Sequence, residues 1–309
     1  MSGAADPADD RVGPLRAWAA DRLAADPDGS ARLDAELLLA HVLRVGRTTV
    51  LAHPEAPVGT GPAATFRALV ARRAAGEPVA YLRGLREFHG LALACDARAL
   101  IPRPETELLV EHALAAIRAR LAAAPRTAGT RPVRAWDIGT GTGAIAIALA
   151  AALRKRGALA DVALRMSDLS ADALALAREN VVAHGLADAI TPAEGDLLAT
   201  DPPPDLPVDV ICANLPYVAT AEIAPRPDPT AYEPRTALDG GPDGLDLVRR
   251  LLAGLGAVLA PVGVAFLEIG ADQGPAALAA AGAALPGRPA VVHADLAGRP
   301  RLLEVGPAA

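Results

Sequence analysis

Three glycines at alternate positions separate an apolar segment from a segment rich in Ala, Ile and Leu. The apolar segment, 133–138, has the composition of a buried strand, and Gly139, Gly141 and Gly143 follow it directly. Glycine lets the backbone turn sharply and approach a ligand closely. The first N–H groups of a helix that starts after such a turn are unpaired and point toward the loop. The pattern therefore predicts a loop that binds a nucleotide-like ligand.

The spacing of the loop narrows the choice of ligand. Gly-Thr-Gly-Thr-Gly is not the pattern of a phosphate-binding P-loop, and no Lys or Arg follows it to neutralise phosphates. A dinucleotide is a less favoured alternative, because its loop has the spacing G-x-G-x-x-G. Asp137 precedes the glycines, and a carboxylate suits the positive charges and hydroxyls of S-adenosylmethionine. We expect that cofactor to be bound by Gly139, Thr140, Gly141, Thr142 and Gly143.

Acidic residues follow two further apolar segments. Asp168 follows the segment 162–167, and Asp196 with Leu197 follows the segment 189–194. In an open parallel sheet the ligand lies beyond the carboxyl ends of the strands. We expect Asp168 to accept hydrogen bonds from ribose hydroxyls. We expect Asp196 to accept from an adenine amino group while Leu197 packs against the ring.

The most specific signal is Asn214-Leu215-Pro216-Tyr217, which follows the apolar segment 208–213. It resembles the [N/D/S]-[P/I]-P-[Y/F] motif of methyltransferases that act on planar amide or amino nitrogens. Such a nitrogen is a poor nucleophile, so two acceptors aimed at its hydrogens hold it in place. The Asn214 side-chain oxygen and the Leu215 carbonyl can supply them. Pro216 fixes the turn and Tyr217 can stack on the amide plane. The alternative is a strand-end turn with an Asx-type hydrogen bond.

Strands and helices alternate from residue 133 onward, which predicts a parallel sheet covered on both faces. The last two strands are too close in sequence for a parallel crossover, so we expect them to pair antiparallel. Seven strands in this arrangement predict a Rossmann-like α/β domain with the class I methyltransferase fold. The expected strands are 133–138, 162–167, 189–194, 208–213, 262–269, 290–294 and 301–305; the expected helices are 144–156, 170–184, 243–258 and 272–284.

The residues before this domain have a different pattern. Residues 1–82 contain segments with helical spacing and predict a small helical domain that docks the substrate. Short alternating runs separated by glycine predict a hairpin linker over 83–104. The methyltransferase domain is then expected over 105–309, beginning with a helix to about Ala122.

Composition limits the classes of function. The chain has 309 residues and a net charge of −6, without a basic stripe, which argues against direct binding of nucleic acid. Its two cysteines are far apart and have no metal-ligand spacing, so we expect reduced thiols and no metal. The acidic N-terminus lacks the apolar core of a signal peptide, and the uncharged segment 251–267 is too short for a membrane span. We expect a cytoplasmic protein.

Several segments together resemble the peptide-chain release factor N5-glutamine methyltransferase family (PrmC/HemK). The resemblance covers about residues 14–305. It implies methylation of the glutamine in the Gly-Gly-Gln loop of class I release factors, which would be the protein partners. It also implies that the glycine loop, Asp168 and the Asp196-Leu197 pair bind the cofactor and that the tetrapeptide at Asn214 binds the glutamine. The segments that carry it are 77–81, 86–88, 100–107, 137–144, 214–217 and 232–238.

The chain departs from the family pattern at one position, since Leu215 stands where the family usually has Pro. The required group there is a backbone carbonyl, which Leu also provides. Two related functions share the motif: methylation of a glutamine in a ribosomal protein, and methylation of adenine N6 in DNA or RNA. The negative net charge argues against the second of these. A non-catalytic cofactor-binding protein is disfavoured because Asn214 is present.

Overall fold

The computed structural model describes residues 9–24, 30–123 and 130–307, and the elements given below are those of these ranges. The chain folds into two compact units. The first contains the described residues up to Leu85 together with Ala224–Tyr232, and the second contains Arg86–Ile223 and the described residues from Glu233 onward. The division into 1–82, 83–104 and 105–309 made from sequence stays a prediction.

The first unit is helical. Apolar residues at helical spacing bury one side of each longer helix; Leu15, Leu38 and Phe66 are completely buried. The segment from the later part of the chain belongs to the same unit, because the Tyr232 hydroxyl donates to the carbonyl of Ala75 (2.7 Å). The helices are α1 (Val12–Arg22), α2 (Ala31–Leu43), α3 (Arg47–Ala52), α4 (Thr60–Ala74) and α5 (Val79–Arg83).

Apart from its first residue, Leu85, a two-stranded hairpin forms the start of the second unit, which continues as an α/β domain. Its helices are α6 (Thr106–Ala123), α7 (Ala144–Lys155), α8 (Ala171–Ala183), α9 (Asp246–Val258) and α10 (Gly274–Ala284). The hairpin strands are β1 (Leu85–Phe88) and β2 (Leu91–Ala94). The strands of the central sheet are β3 (Val133–Ile138), β4 (Val162–Asp168), β5 (Ile190–Asp196), β6 (Ala199–Asp201), β7 (Val208–Ala213), β8 (Leu259–Glu268), β9 (Ala290–Ala294) and β10 (Pro300–Val305).

Within the described residues the central sheet has eight strands in the order β6-β5-β4-β3-β7-β8-β10-β9. The five strands from β5 to β8 in this order are parallel, with Ile138 opposite Ser167 of β4 and Ala213 of β7. β10 pairs antiparallel with both β8 and β9. The carboxyl ends of β3, β4, β5, β7 and β8 therefore meet at one edge of the sheet.

Helices cover both faces of the sheet, which explains why its strands are continuously apolar. On β7, Val210 and Cys212 face the side of α6, α7 and α8, whereas Ile211 and Ala213 face the side of α9 and α10. Trp136 is among the largest fully buried side chains and lies on the second side.

The prediction of a mostly parallel α/β sheet with a terminal antiparallel hairpin is confirmed, and all seven expected strands are present. The number of strands is corrected, because β6 adds a short antiparallel edge strand beside β5. Its three residues are too short to show alternation, and the turn before it requires Leu197 at φ 54°. Gly195 permits the close approach of the two strands, since a side chain there would collide with Ala199.

The segment 79–83 lies at the end of the predicted helical domain and forms a single helical turn. Pro78 is extended before the turn, and Gly84 ends it in the left-handed conformation, which only glycine adopts without strain. The short helix α3 was not predicted as a separate helix from the sequence. In the described part of the chain, no helix is both long enough and apolar enough to cross a membrane.

Candidate functional site

The glycine loop joins β3 to α7 in a conformation that requires its glycines. Gly139, Gly141 and Gly143 all have positive φ, between 56° and 84°. A Cβ atom on Gly139 would lie 3.0 Å from the Leu215 side chain, and one on Gly143 would lie 3.3 Å from the Ala177 Cβ. The loop is anchored because the N–H groups of Gly139 and Thr140 donate to the Ser167 carbonyl.

Asp137 supports the loop from inside the sheet. Its Oδ2 accepts from the Thr140 hydroxyl (2.6 Å) and from the Ala146 N–H (3.2 Å). Burial raises the pKa of Asp137 to about 7, while these two hydrogen bonds act in the opposite direction. The residue is not one of those that line the adjacent cavity. Its hydrogen bonds in this structure are therefore with the loop and with the first turn of α7, and its Oδ1 has no hydrogen-bond partner among the described residues.

Asp168 lies where β4 ends and contacts the same loop. Its Oδ2 accepts from the Gly141 N–H and its Oδ1 from the Ser170 N–H, both at 2.9 Å. Burial raises the pKa of Asp168, and the N–H donors oppose that shift. A carboxylate has about four acceptor positions, so these two bonds leave capacity for further donors such as ribose hydroxyls.

Asp196 and Leu197 form the end of β5 and the turn after it. The Asp196 Oδ2 accepts from the Arg250 guanidinium at 2.6 Å, in a pair whose side chains are about half exposed. Arg250, on α9, was not identified from sequence. Solvent screens such a pair, so the ion pair contributes little to the stability of the fold. It does hold the Asp196 carboxylate in one position.

The tetrapeptide Asn214–Tyr217 follows β7. The Asn214 Nδ2 donates to the Thr106 hydroxyl (3.0 Å), while its Oδ1 is buried and has no hydrogen-bond partner among the described residues. The Leu215 side chain is buried and contacts the glycine loop at Gly139. The unpartnered Asn214 oxygen is therefore an acceptor that is available to a ligand.

The Tyr217 side chain does not face the cavity, where the sequence predicted that it would stack on the substrate amide. Its hydroxyl donates to the Glu268 Oε1 (3.1 Å), and its carbonyl accepts from the Gln273 amide (2.8 Å). Burial, followed by the proximity of Glu268, raises the pKa of the Tyr217 phenol. Tyr217 does not line the cavity in this structure. Its stacking on a substrate amide stays a prediction.

A cavity of about 390 Å³ lies at the carboxyl ends of the strands in the second unit. This volume is in the range of small-molecule sites, which is about 300–1,000 Å³. The structure brings together nearly all of the site residues predicted from sequence. Those that line the cavity are Gly139, Thr140, Gly141, Thr142, Asp168, Asp196, Leu197, Asn214, Leu215 and Pro216. Gly143 lies behind the wall as the N-cap of α7.

Sequence reasoning missed the buried polar residues behind Asn214. The Thr106 hydroxyl donates to the Glu268 Oε2 (2.6 Å), and both side chains are buried. Burial raises the pKa of Glu268, against the hydrogen bonds from Thr106 and Tyr217. Glu268 is the last residue of β8, so inspection of that fifth parallel strand end could have found it.

A second buried carboxylate connects two of the family-like segments. The Glu233 Oε2 accepts from the Ile101 N–H (2.9 Å), and its Oε1 accepts from the Arg103 guanidinium (2.5 Å). Pro102 and Pro234, the neighbours of these residues, line the cavity. Glu233 therefore fixes two segments of the cavity wall against each other.

Possible metal ligands lie elsewhere in the second unit. Among the described residues, one group of three such side chains lies within 4.8 Å: His112, His293 and Glu304. The His293 ring is hydrogen-bonded to Glu304 (2.7 Å), and none of the three lines the cavity. These three side chains are therefore not part of the cavity wall.

Comparison with known proteins gives matches over nearly the whole chain. Residues 14–84 match the family model described as PrmC N-terminal domain, and residues 123–226 match that of the Methyltransferase small domain. A release factor glutamine methyltransferase of Moorella thermoacetica is 40% identical, covering 91% of this chain and 93% of its own. That of Deinococcus radiodurans is 38% identical, covering 89% and 90%. That of Cereibacter sphaeroides is 40% identical, covering 94% and 95%.

Among solved structures, the hMettl16 catalytic domain is similar with a TM-score of 0.51 and 20% identity. The match covers 78% of this chain and 81% of that one. At this identity the similarity concerns the fold alone, and that fold is a methyltransferase fold.

Proposed function

Because the chain belongs to the release factor glutamine methyltransferase family, we propose that it methylates the glutamine in the Gly-Gly-Gln loop of class I release factors. The methyl group comes from S-adenosylmethionine, and the acceptor is the side-chain amide nitrogen, N5. This family membership rests on relatives that are matched over about nine tenths of both chains.

The observation that carries the proposal is the buried, unpartnered Oδ1 of Asn214 on the cavity wall. An unsatisfied buried acceptor is costly unless a ligand supplies a donor. A primary amide has two N–H groups, and it is the group whose nitrogen would be methylated. In the proposal one N–H donates to Asn214 and the other to the backbone carbonyl of Leu215.

These two acceptors explain how the chain can act on a poor nucleophile. The amide lone pair is delocalised, so the two hydrogen bonds hold the nitrogen in one orientation and favour its pyramidalisation. Bound S-adenosylmethionine supplies an electrophilic methyl group on a sulfonium. Holding both reactants in line can lower the barrier by roughly 7–11 kcal/mol. The amide loses its proton to solvent once the N–C bond has begun to form, so the wall needs no strong base.

The glycine loop and the strand-end acids fit the cofactor. Positive φ favours glycine at positions 139 and 141, and glycine leaves this part of the wall without side chains, so a ligand can meet the backbone there. Asp168 retains acceptor capacity for ribose hydroxyls, and Asp196 has an oxygen that Arg250 does not use. Leu197 supplies an apolar surface beside it for the adenine ring.

The helical unit is proposed to dock the release factor. The described residues that line the cavity belong to the second unit, and we assign the chemistry to that unit. The match of the helical unit to a dedicated N-terminal family model supports a separate role in substrate choice. Since release factors act in translation, we place the protein in the cytoplasm.

A labelling experiment tests the proposal. The protein is incubated with cofactor labelled in the methyl group and, separately, with a release factor, ribosomes or DNA. Label should enter the release factor and should be absent when its Gly-Gly-Gln glutamine is replaced by alanine. Label in a ribosomal protein or in DNA, but not in the release factor, would support one of the related functions instead.

A further inference from the structure

Four polar side chains form a continuous hydrogen-bonded chain that starts at the cavity wall, where Asn214 and Thr106 lie. Asn214 donates to Thr106 (3.0 Å), and Thr106 donates to Glu268 (2.6 Å). Tyr217 donates to the other oxygen of Glu268 (3.1 Å). Thr106 and Glu268 are 3% and 1% exposed, so water does not compete for these bonds. Glu268 is therefore the common acceptor for the Thr106 and Tyr217 hydroxyls.

The direction of every bond in this chain follows from the two oxygens of Glu268, which both act as acceptors. They accept from the Thr106 and Tyr217 hydroxyls, as the oxygens of an ionised carboxylate do. The Thr106 hydroxyl has one hydrogen, so its oxygen can only accept from Asn214. The NH₂ end of the Asn214 amide must then face Thr106.

The opposite end of the Asn214 side chain is thereby also fixed. The oxygen and nitrogen of an amide have nearly the same shape, and only their hydrogen-bond partners distinguish the two orientations. With the NH₂ group directed to Thr106, the Oδ1 is the end without a protein partner. This end is an acceptor, as a substrate amide requires.

We propose that Glu268 is a positioning residue that acts through Thr106 to orient the Asn214 amide with its oxygen toward the substrate. The inference rests on the proposed function, since it gives Asn214 the amide as its ligand. Glu268 also holds the Tyr217 hydroxyl and so fixes the turn that carries the Leu215 carbonyl. Neither Glu268 nor Thr106 takes part in bond making.

A neutral group at position 268 removes this constraint. The Glu268→Gln side chain has the same shape but one donor and one acceptor end. It can donate to the Thr106 oxygen, and Thr106 can then donate to a flipped Asn214 oxygen. The substrate amide would meet an NH₂ group instead of an acceptor, which repels its N–H donors.

Kinetics of matched variants test the proposal. Glu268→Gln and Thr106→Val should lower kcat by about 10–100-fold, which is about 1.4–2.7 kcal/mol of transition-state stabilisation. Thr106→Ser keeps the hydroxyl and should retain most of the activity. Glu304→Gln makes the same exchange on the neighbouring strand β10, outside the cavity, and should resemble the wild type. Binding of S-adenosylhomocysteine should be similar in all four variants, and a cooperative thermal transition should show that each of them is folded.

A readout that does not need a substrate separates this inference from the proposed function. The side-chain ¹⁵N–¹H₂ signals of Asn214, assigned by their loss in Asn214→Ala, should shift in Thr106→Val and Glu268→Gln but not in Glu304→Gln. If the wild type does not methylate a release factor but these shifts occur, the proposed function fails and the orienting role stands. Unchanged Asn214 signals in both variants, or wild-type kcat in both, would overturn the inference.

Discussion

A single amide orientation determines whether the predicted tetrapeptide can hold its substrate. Asn214 has a donor at one end and an acceptor at the other, and only the donor end is used by the protein. The sequence predicted Asn214 as an acceptor because residues 214–217 resemble a methyltransferase motif. It could not reveal the partner that orients it, because Thr106 lies 108 residues away and Glu268 is joined to Thr106 across 162 residues.

Replacing Asn214 tests the acceptor directly. Asn214→Ala should reduce kcat by roughly 10²–10³-fold, since the loss of one preorganised hydrogen bond at a reacting centre costs about 2.7–4 kcal/mol. Steady-state assay on a release factor measures the effect. Affinity for S-adenosylhomocysteine and the melting temperature serve as controls and should change little. Near wild-type turnover would remove Asn214 from the mechanism.

The Asp168 carboxylate, at the end of β4, is both a proposed ligand of the cofactor and a hydrogen-bond partner of the glycine loop. Asp168→Ala removes the proposed acceptor for ribose hydroxyls and also the partner of the Gly141 N–H. We expect S-adenosylhomocysteine to bind at least tenfold more weakly, about 1.4 kcal/mol, with a smaller change in turnover at saturating cofactor. Calorimetric titration measures the affinity. An unchanged dissociation constant would contradict the assignment of Asp168 to the cofactor.

Position 215 tests whether the chain uses its tetrapeptide as its relatives do. Leu215→Pro should keep kcat/KM within about tenfold, because the proposed acceptor is the backbone carbonyl. Leu215 already precedes a proline, which disfavours helical backbone at this position. The Leu215 side chain covers Gly139, so the variant loses some packing there. A larger loss in an assay of both proteins on one release factor would show that Leu215 has a role of its own.

At the scale of elements, the parallel sheet explains why most of the cavity-lining residues could be predicted from the ends of the strands. Parallel strands bring their carboxyl ends to one edge, so residues that follow β3, β4, β5 and β7 meet at one cavity. The same rule applied to β8 leads to Glu268, which the sequence reading passed over. The edge strand β6 and the short helices α3 and α5 could not be predicted, since they are set by packing and by local turns such as that at Leu197.

Glycine can be required by a positive φ or by close packing, and the two glycines on either side of α7 allow these two costs to be measured separately. Gly143→Ala meets both a positive φ and close neighbours in Ile147 and Ala177, whereas Gly157→Ala meets a positive φ with nothing within 4 Å. Gly157→Ala should cost about 1–2 kcal/mol of unfolding free energy. Gly143→Ala should cost about 1–3 kcal/mol more, because the extra methyl group overpacks the helix interface.

Urea unfolding of both variants gives these values, and cofactor binding gives a second readout. Gly143→Ala should weaken binding of S-adenosylhomocysteine, while Gly157→Ala, at the far end of α7, should not. Equal unfolding free energies and equal affinities would mean that the loop tolerates a side chain at position 143 and that its spacing is not set by packing.

At the scale of the whole molecule, the α/β unit and the helical unit were both visible in the sequence as changes in pattern. The boundaries between the units were harder to predict, because Ala224–Tyr232 belongs to the helical unit although the residues before and after it in sequence belong to the second unit. Nothing in that segment's composition reveals which unit it packs with; the contact of Tyr232 with Ala75 does. The relatives are matched along both units, so the proposed function concerns the chain as a whole.

The central claim is that the full chain places one methyl group on one glutamine amide. Mass spectrometry of a class I release factor, after incubation with the protein and S-adenosylmethionine, tests it most directly. Fragmentation of the Gly-Gly-Gln peptide should show the mass gain of a single methyl group on the glutamine side chain, and Asn214→Ala should leave the peptide unmodified over the same period. A methyl group on any other residue of the release factor, or an unmodified peptide with the wild-type protein, would contradict the account.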